Sequence, residues 1–260
     1  MFSNADIFLG QLYRKATHIR RFENATRNPG AAQEDRLLRI IRSNADSAYG
    51  KKHHFDRINS VADFRKYVPV NKYEDLQPYI DAAKNGQSAQ LSMEDPFMFA
   101  TTSGTTAQPK FIPITESHLL DYTHAFQVHN YNMVTSFPHV AQGRFLIITS
   151  NDQEGTVASG KPYGAVSGVL NRRQSKLIRR HFAIPYEICK IKDVDMKYYL
   201  MLRVALAQSV TAILSCNPSS LLLLADQLKE HAGDLVADVS DGTIKSKYAP
   251  PAHLAHAFEP

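Results

Sequence analysis

Cysteine is scarce in this 260-residue sequence, which contains only Cys189 and Cys216 and no CxxC pair. Two separated cysteines cannot build the disulfide framework of a small secreted domain, so a reducing, cytosolic setting is expected. Both thiols are predicted to lie buried as small apolar side chains.

Long apolar runs are also missing. The longest, FLIIT at 145–149 and LLLLA at 221–225, have five residues each, whereas a membrane-spanning helix needs about 20. The N-terminal segment MFSNADIFLGQLYRKATHIRR has neither the basic start nor the uninterrupted apolar core of a secretory signal. A soluble, cytoplasmic protein without a membrane partner is therefore expected.

Neither sign of charge is in large excess, since 30 lysines and arginines face 25 acidic residues and give a net charge of +5. Such a balance suits an anionic ligand such as ATP without excluding nucleic acid. One basic cluster is predicted on a helix, where it would face a phosphate-rich partner or simply be solvated. The aromatic and glycine residues of a single-strand binding groove are missing around it, so nucleic acid is the less favoured partner. The cluster comprises Arg172, Arg173, Lys176, Arg179 and Arg180.

The eleven histidines do not form a recognised metal-binding pattern. No HExxH pair occurs, and the spacings of the histidines from His53 to His129 match no known ligand set. They are interpreted as surface or core residues, and no protein metal site is predicted from them.

Helical and strand-like segments alternate along the chain, in which 43% of residues are apolar. Two amphipathic helices are predicted to open it, separated at Pro29-Gly30, and further helices are predicted at 73–83, 116–137 and 193–209. Short strands are predicted at 97–101, 111–114 and 144–149. A strand at 211–216 runs into Asn217-Pro218, an N-cap residue followed by a proline at the first helical position. This alternation predicts an α/β architecture with at least part of its sheet parallel.

A hydroxyl-rich segment, TTSGTTAQPKFIPIT at residues 101–115, separates two of the predicted strands. Hydroxyl and backbone N–H groups can donate to phosphoryl oxygens, a glycine lets the backbone approach closely, and a lysine adds a compact positive charge. It is not a Walker A loop, because the lysine enters a proline-containing strand instead of a helix. A plain polar turn is the alternative. The candidate phosphate-binding residues are Thr102, Ser103, Gly104, Thr105, Thr106 and Lys110.

This segment resembles the phosphate-binding motif of the adenylate-forming superfamily. More narrowly, the chain resembles the auxin-responsive Gretchen Hagen family of acyl acid amido synthetases. The stretches that carry this resemblance cover most of residues 34–245. They are AYGKKHHFDRI, VADFRKYVPVNKYEDLQPYI, SGKPYGAVSG, DVDMKYYLMLRVALA, CNPSSLLLLADQL and DVSDGT.

The resemblance implies an α/β fold, the N-terminal part of the large domain of an adenylate-forming enzyme, with mixed sheets flanked by helices. It also implies ATP-dependent activation of a carboxylic acid as an acyl-adenylate, followed by transfer to an amine, such as an amino acid, or to a thiol. Ser103, Thr105, Thr106 and Lys110 would hold the β- and γ-phosphates together with Mg²⁺, with Thr102 assisting. Ala107 stands where many relatives have glycine.

Two further regions are expected near the substrates. The helix after the loop supplies His118, Phe126 and Tyr131 as candidates for the acyl pocket, although core packing explains such residues equally well. The glycines of SGKPYGAVSG either bring backbone close to the substrates or form a simple turn. Ser167 lacks the GxSxG context of a hydrolase nucleophile.

Residues 1–260 are expected to form an incomplete adenylate-forming domain. The superfamily's later motifs, which position adenine, Mg²⁺ and ribose, and its mobile C-terminal domain are not found in the sequence. The chain alone is therefore predicted to be inactive. The complete enzyme of which it would form a part is predicted to be a ligase. The alternative is a catalytically silent binding or interaction protein derived from the same fold.

Overall fold

The computed structural model of the protein describes residues 4–102 and 109–250. Its helices are α1 (Asn4–Arg14), α2 (Arg20–Arg27), α3 (Pro29–Ser43), α4 (Ala48–Lys52), α5 (Val61–Tyr67), α6 (Tyr73–Lys84), α7 (Glu116–Ser136), α8 (Val166–Arg172), α9 (Lys176–Arg179), α10 (Tyr186–Cys189), α11 (Val194–Leu206), α12 (Pro218–Glu230) and α13 (Ala232–Asp241). Its strands are β1 (Met98–Thr102), β2 (Lys110–Ile114), β3 (Arg144–Ile148), β4 (Gly155–Thr156), β5 (Pro162–Gly164) and β6 (Val210–Ser215).

The predicted order of elements is confirmed where the sequence signals are strongest. Strands flank the hydroxyl-rich segment, a long helix follows, and β6 runs directly into α12. Asn217 is the N-cap of α12, since its side-chain oxygen accepts a hydrogen bond from the Ser219 N–H at 3.1 Å, and Pro218 is the first helical residue.

The N-terminal helices differ from the expectation. The segment before Asn28 comprises α1, a π-helical turn (Lys15–Ile19) and α2 in direct succession. Pro29 and Gly30 do not lie between helices but form the first turn of α3, with Asn28 as its N-cap. Proline is tolerated there because the first N–H groups of a helix have no intrahelical partner.

The chain divides into two compact units. The four-stranded unit comprises residues 12–131 and 153–164, and its sheet has the order β2-β1-β5-β4. Strand β1 pairs antiparallel with β2 and parallel with β5, while β4 and β5 pair antiparallel, so the sheet is mixed as expected. Its core includes Phe99, which is completely buried, against Ala83 and Val157.

The two-stranded unit comprises residues 1–11, 132–152 and 165–260, and its strands β3 and β6 pair in parallel. Helix α11 is the centre of its core, because Tyr199, Leu200 and Met201 are fully inaccessible to solvent. Cys189 is buried in this core, as predicted, but Cys216 is exposed after β6, so that prediction was wrong. The strand ends at Ser215, one residue earlier than expected, and Cys216 lies beyond the sheet.

A buried carboxylate, Asp238, ties the last part of this unit to α11. It accepts hydrogen bonds from the Tyr199 hydroxyl at 2.6 Å, the Thr243 hydroxyl at 3.0 Å and the Lys245 backbone N–H at 2.9 Å. Burial by itself would raise the pKa of Asp238, but these hydrogen bonds to the charged form outweigh it and lower the pKa below its ordinary value.

Acid should therefore weaken the fold through Asp238. Because its pKa is lower in the folded chain, the stabilisation is present above the unfolded value of about 4 and disappears as pH falls through the folded value. Urea unfolding at pH 6 and at pH 3 should show a smaller pH dependence in Asp238→Asn than in the unaltered chain. If the free energy of unfolding changed equally with pH in both proteins, the role assigned to this carboxylate would be contradicted.

Candidate functional site

The hydroxyl-rich segment connects two strands that lie side by side. Thr102, the last residue of β1, is the register partner of Lys110, the first residue of β2. The chain therefore leaves and re-enters the sheet at one point, and the seven residues between them form the connection. Of the predicted phosphate-binding residues, Ser103, Gly104, Thr105 and Thr106 lie outside the described residues, as does Ala107.

Lys110 lies against an aromatic ring from helix α6. Its ammonium nitrogen is 5.1 Å from the centroid of the Tyr73 ring, within the range of a cation–π interaction. The Tyr73 hydroxyl accepts a hydrogen bond from the Phe111 N–H at 2.9 Å and lies 3.4 Å from the Phe111 carbonyl oxygen. One side chain thus contacts both the cation and the backbone of the residue that follows it.

The Phe111 ring makes two further contacts that fix strand β2. The Lys84 ammonium lies 4.5 Å from its centroid, and the Tyr163 ring meets it edge-on at 5.3 Å. Lys84 is in turn paired with Asp81 at 3.0 Å. Both ends of α6 therefore contact the first two residues of β2, which fixes the strand at the point where the connection ends.

A carboxylate lies beside the end of β1. The Thr101 hydroxyl donates a long hydrogen bond of 3.5 Å to Glu154, an exposed residue just before β4. No group of three or more histidine, cysteine or acidic side chains that could hold a metal occurs in the described part of the chain. Mg²⁺ needs no such cage, because it commonly binds one or two carboxylates together with phosphate oxygens and water. Glu154 is a single carboxylate next to the candidate phosphate-binding segment, and it fits that requirement.

His118 lines a cleft of about 690 Å³ within the four-stranded unit. The cleft lies where β2 ends and α7 begins, and its walls include Ile112 and Asp121. The Asp121 carboxylate is paired with Arg36 from α3. The His118 ring meets the Tyr122 ring edge-on at 5.1 Å.

The other two candidates for the acyl pocket lie further along α7. Phe126 is exposed and Tyr131 is half-buried, and neither lines the cleft that contains His118. His118 and Tyr131 are thirteen positions apart, which is about 20 Å of helix at 1.5 Å per residue. The structure therefore spreads these three positions along one helix and does not bring them around a single compact space.

The glycine-rich segment contains a turn, as one of the two expectations held, and also a close contact within the protein itself. Gly160 has a φ of +79° with nothing near a potential Cβ, which is typical of a glycine turn. Gly168, in α8, packs against backbone, because an added Cβ would lie 2.4 Å from the Ser150 carbonyl oxygen and 2.8 Å from the Asp152 nitrogen. The Ser167 hydroxyl accepts a hydrogen bond from the Ser150 N–H at 3.4 Å.

The basic cluster was predicted to lie on one helix, but that prediction was wrong. Arg172 ends α8, and α9 starts only at Lys176. Arg172 is bound to the buried Asp152 carboxylate at 2.6 Å, and the Tyr186 hydroxyl donates to the same carboxylate at 2.5 Å. Burial and this hydrogen bond raise the pKa of Tyr186. At least one member of the cluster thus has a structural role.

Two solved structures share this fold. The fold is similar to that of the AtGH3.15 acyl acid amido synthetase in complex with 2,4-DB, with a TM-score of 0.81 at 22% identity over 95% of this chain and 44% of that one. A second structure of a GH3.15 acyl acid amido synthetase gives a TM-score of 0.79 at 22% identity over 91% of this chain and 43% of that one. The fold is that of the N-terminal part of an acyl acid amido synthetase.

The chain belongs to the GH3 family, since the model of the GH3 family N-terminal domain matches residues 18–259. It is 27% identical over 245 residues to the indole-3-acetic acid-amido synthetase GH3.2 of Arabidopsis thaliana, covering 88% of this chain and 44% of that enzyme. It is 25% identical over 243 residues to the jasmonoyl–L-amino acid synthetase GH3.5 of Oryza sativa subsp. japonica, covering 90% of this chain and 42% of that enzyme. The chain thus spans less than half the length of these relatives. The resemblance stated from the sequence is confirmed.

Two contacts at this site could not be found from sequence motifs. Tyr73 and Lys110 are 37 positions apart and Thr101 and Glu154 are 53 apart, and no local pattern links either pair. In the part of the chain that the structure describes, no helix combines the length and apolar character needed to cross a bilayer.

Proposed function

We propose that this chain forms the N-terminal part of an ATP-dependent ligase that joins a carboxylic acid to an amino acid. The carboxylate oxygen attacks the α-phosphorus of ATP, the α–β phosphoanhydride bond breaks, and pyrophosphate leaves. The amine then attacks the acyl carbon, AMP leaves, and the amine loses a proton. An amine is favoured over a thiol as the acceptor because the relatives are named amido synthetases.

The hairpin end of β1 and β2 carries this proposal. Its register places Thr102 and Lys110 side by side where the hydroxyl-rich connection leaves the sheet. In the proposed role, Thr102, Ser103, Gly104, Thr105 and Thr106 donate hydrogen bonds to the β- and γ-phosphates. Lys110 balances the charge that grows on the leaving pyrophosphate.

Glu154 is the described residue best placed to hold Mg²⁺ near this hairpin, directly or through water. When bound, Mg²⁺ neutralises phosphate charge. The carboxylate of Glu154 would then be attracted to the ion, while Thr101 keeps its side chain turned toward the end of β1.

Helix α7 is proposed as a wall of the acyl pocket. Because His118, Phe126 and Tyr131 are spread over about 20 Å, a small acid would contact only some of them, and a longer acid would extend along the helix.

An acid-dependent ATP–pyrophosphate exchange assay tests the function, with the complete gene product and a panel of aryl, indolyl and aliphatic carboxylic acids. Exchange that needs both ATP and one class of acid is the expected result, and amide formation with an amino acid should follow. ATP binding without exchange for any acid would favour the silent binding protein. Failure to bind ATP or pyrophosphate at millimolar concentration would overturn the proposal. Residues 1–260 alone are expected to bind phosphate without forming acyl-AMP.

A further inference from the structure

We infer that Tyr73 is a positioning residue for Lys110, which it holds at the mouth of the phosphate-binding segment. This inference rests on the proposed function, because it assigns Lys110 to the phosphates. Tyr73 itself is not proposed to touch ATP.

The first support is the geometry of the ring. A lysine has four rotatable side-chain bonds, so an unsupported ammonium would sample many positions around the hairpin. The Tyr73 ring, 5.1 Å from the ammonium nitrogen, favours one of them by cation–π attraction without neutralising the charge. A carboxylate in that place would compete with phosphate for the lysine, whereas an aromatic ring leaves the full charge available.

The second support is the way the ring is fixed. The Tyr73 hydroxyl bonds to the Phe111 backbone at 2.9 Å, so the side chain is anchored to the residue next to Lys110. Tyr73 is also the first residue of α6, whose start is fixed because the Asp75 carboxylate accepts a hydrogen bond from the Lys72 N–H at 2.8 Å. The Tyr73 side chain is therefore fixed at its hydroxyl by strand β2 and at its backbone by the capped start of α6.

Two substitutions separate the ring from the hydroxyl. Tyr73→Phe keeps the ring and loses the hydrogen bonds to Phe111, whereas Tyr73→Leu removes both. Because the ring acts on Lys110, Tyr73→Leu should weaken binding of ATP and of inorganic pyrophosphate by about fivefold, the scale of one cation–π contact. Tyr73→Phe should restore affinity to within about twofold, a rescue that a hydrogen bond alone would not give.

The experiment is isothermal titration of the 260-residue chain with each probe, using these variants, Lys110→Ala and the double variant Tyr73→Leu/Lys110→Ala. If Tyr73 acts through Lys110, Tyr73→Leu should have no further effect on binding once Lys110 is alanine, because the effects of substitutions at coupled residues do not add. Tyr67→Leu is the matched control, since the Tyr67 ring lies 5.2 Å from the Lys66 ammonium and both residues belong to helix α5. Thermal melts verify that each variant is folded.

The outcomes distinguish the two proposals. No binding by the unaltered chain, or no loss in Lys110→Ala, would overturn the phosphate-binding function and the role of Tyr73 with it. A loss in Lys110→Ala together with unchanged binding in Tyr73→Leu would overturn the positioning role only. Additive losses in the double variant would do the same, as would a Tyr73→Phe variant no better than Tyr73→Leu.

Discussion

Lys110→Ala in the complete gene product is expected to slow acid-dependent ATP–pyrophosphate exchange about 100-fold, a loss of about 2.7 kcal/mol in transition-state stabilisation. The lysine begins β2 directly beside Thr102, so its charge lies at the end of the proposed phosphate-binding connection. Negative charge develops on the leaving pyrophosphate as the α–β bond breaks. Removing a fixed cation at that place should therefore act on the reaction more than on folding.

Lys66→Ala provides the control for this experiment. It also removes a lysine that lies over a tyrosine ring, at 5.2 Å, but from helix α5. Exchange by Lys66→Ala should stay within about twofold of the unaltered enzyme, since exposed contacts of this kind contribute about 0.5–1 kcal/mol to stability at most. Equal rates for Lys110→Ala and the unaltered enzyme would remove Lys110 from the phosphate site.

Gly50→Ala should destabilise the four-stranded unit by about 3 kcal/mol, the upper part of the usual range for overpacking. Gly50 is buried in α4, and a Cβ there would lie 2.2 Å from the Asn44 carbonyl oxygen and 2.9 Å from that of Ala45. Both atoms are backbone, so no side chain can turn aside. Helix α4 is also tied at its start, because the Ser47 hydroxyl accepts the Gly50 N–H at 2.9 Å.

Gly30→Ala is the matched substitution for this measurement. Gly30 is helical too, but the nearest atom to its potential Cβ is the Asn28 side-chain oxygen at 4.0 Å. Alanine should be neutral or slightly stabilising there, by up to about 1 kcal/mol. Thermal melts should show the midpoint of Gly50→Ala lower by about 6–10 °C and that of Gly30→Ala unchanged or higher. Similar midpoints for both variants would show that α4 can shift away from the added methyl group.

The elements around the proposed site were predictable because their signals are local. Two short apolar runs that flank a polar connection predict a strand, a loop and a strand, and the residues Asn217-Pro218 mark the start of α12. The family resemblance gave the mixed sheet, which periodicity alone does not. The boundaries of helices were harder to predict, since a proline such as Pro29 can follow the end of one helix or begin the next.

Tertiary contacts were not predictable from the same signals. The ring of Tyr73 reaches Lys110 only because α6 packs on β2, and Glu154 reaches Thr101 only because β5 pairs with β1. Such contacts depend on how distant segments pack together, which local sequence patterns do not reveal. The three acyl-pocket candidates on α7 share an element, but a helix distributes its side chains around an axis and along its length.

The discontinuity of the four-stranded unit has a consequence for its biosynthesis. Strands β4 and β5 belong to residues 153–164, which leave the ribosome after β3 of the other unit has been made. Until then one edge of β1 has no partner, although Met98 and Phe99 are buried in the finished sheet. An unpaired apolar edge invites aggregation, and pairing distant segments is slow. A gene truncated at residue 131 should therefore yield an insoluble product, and nascent chains of that length are where chaperones are expected to act.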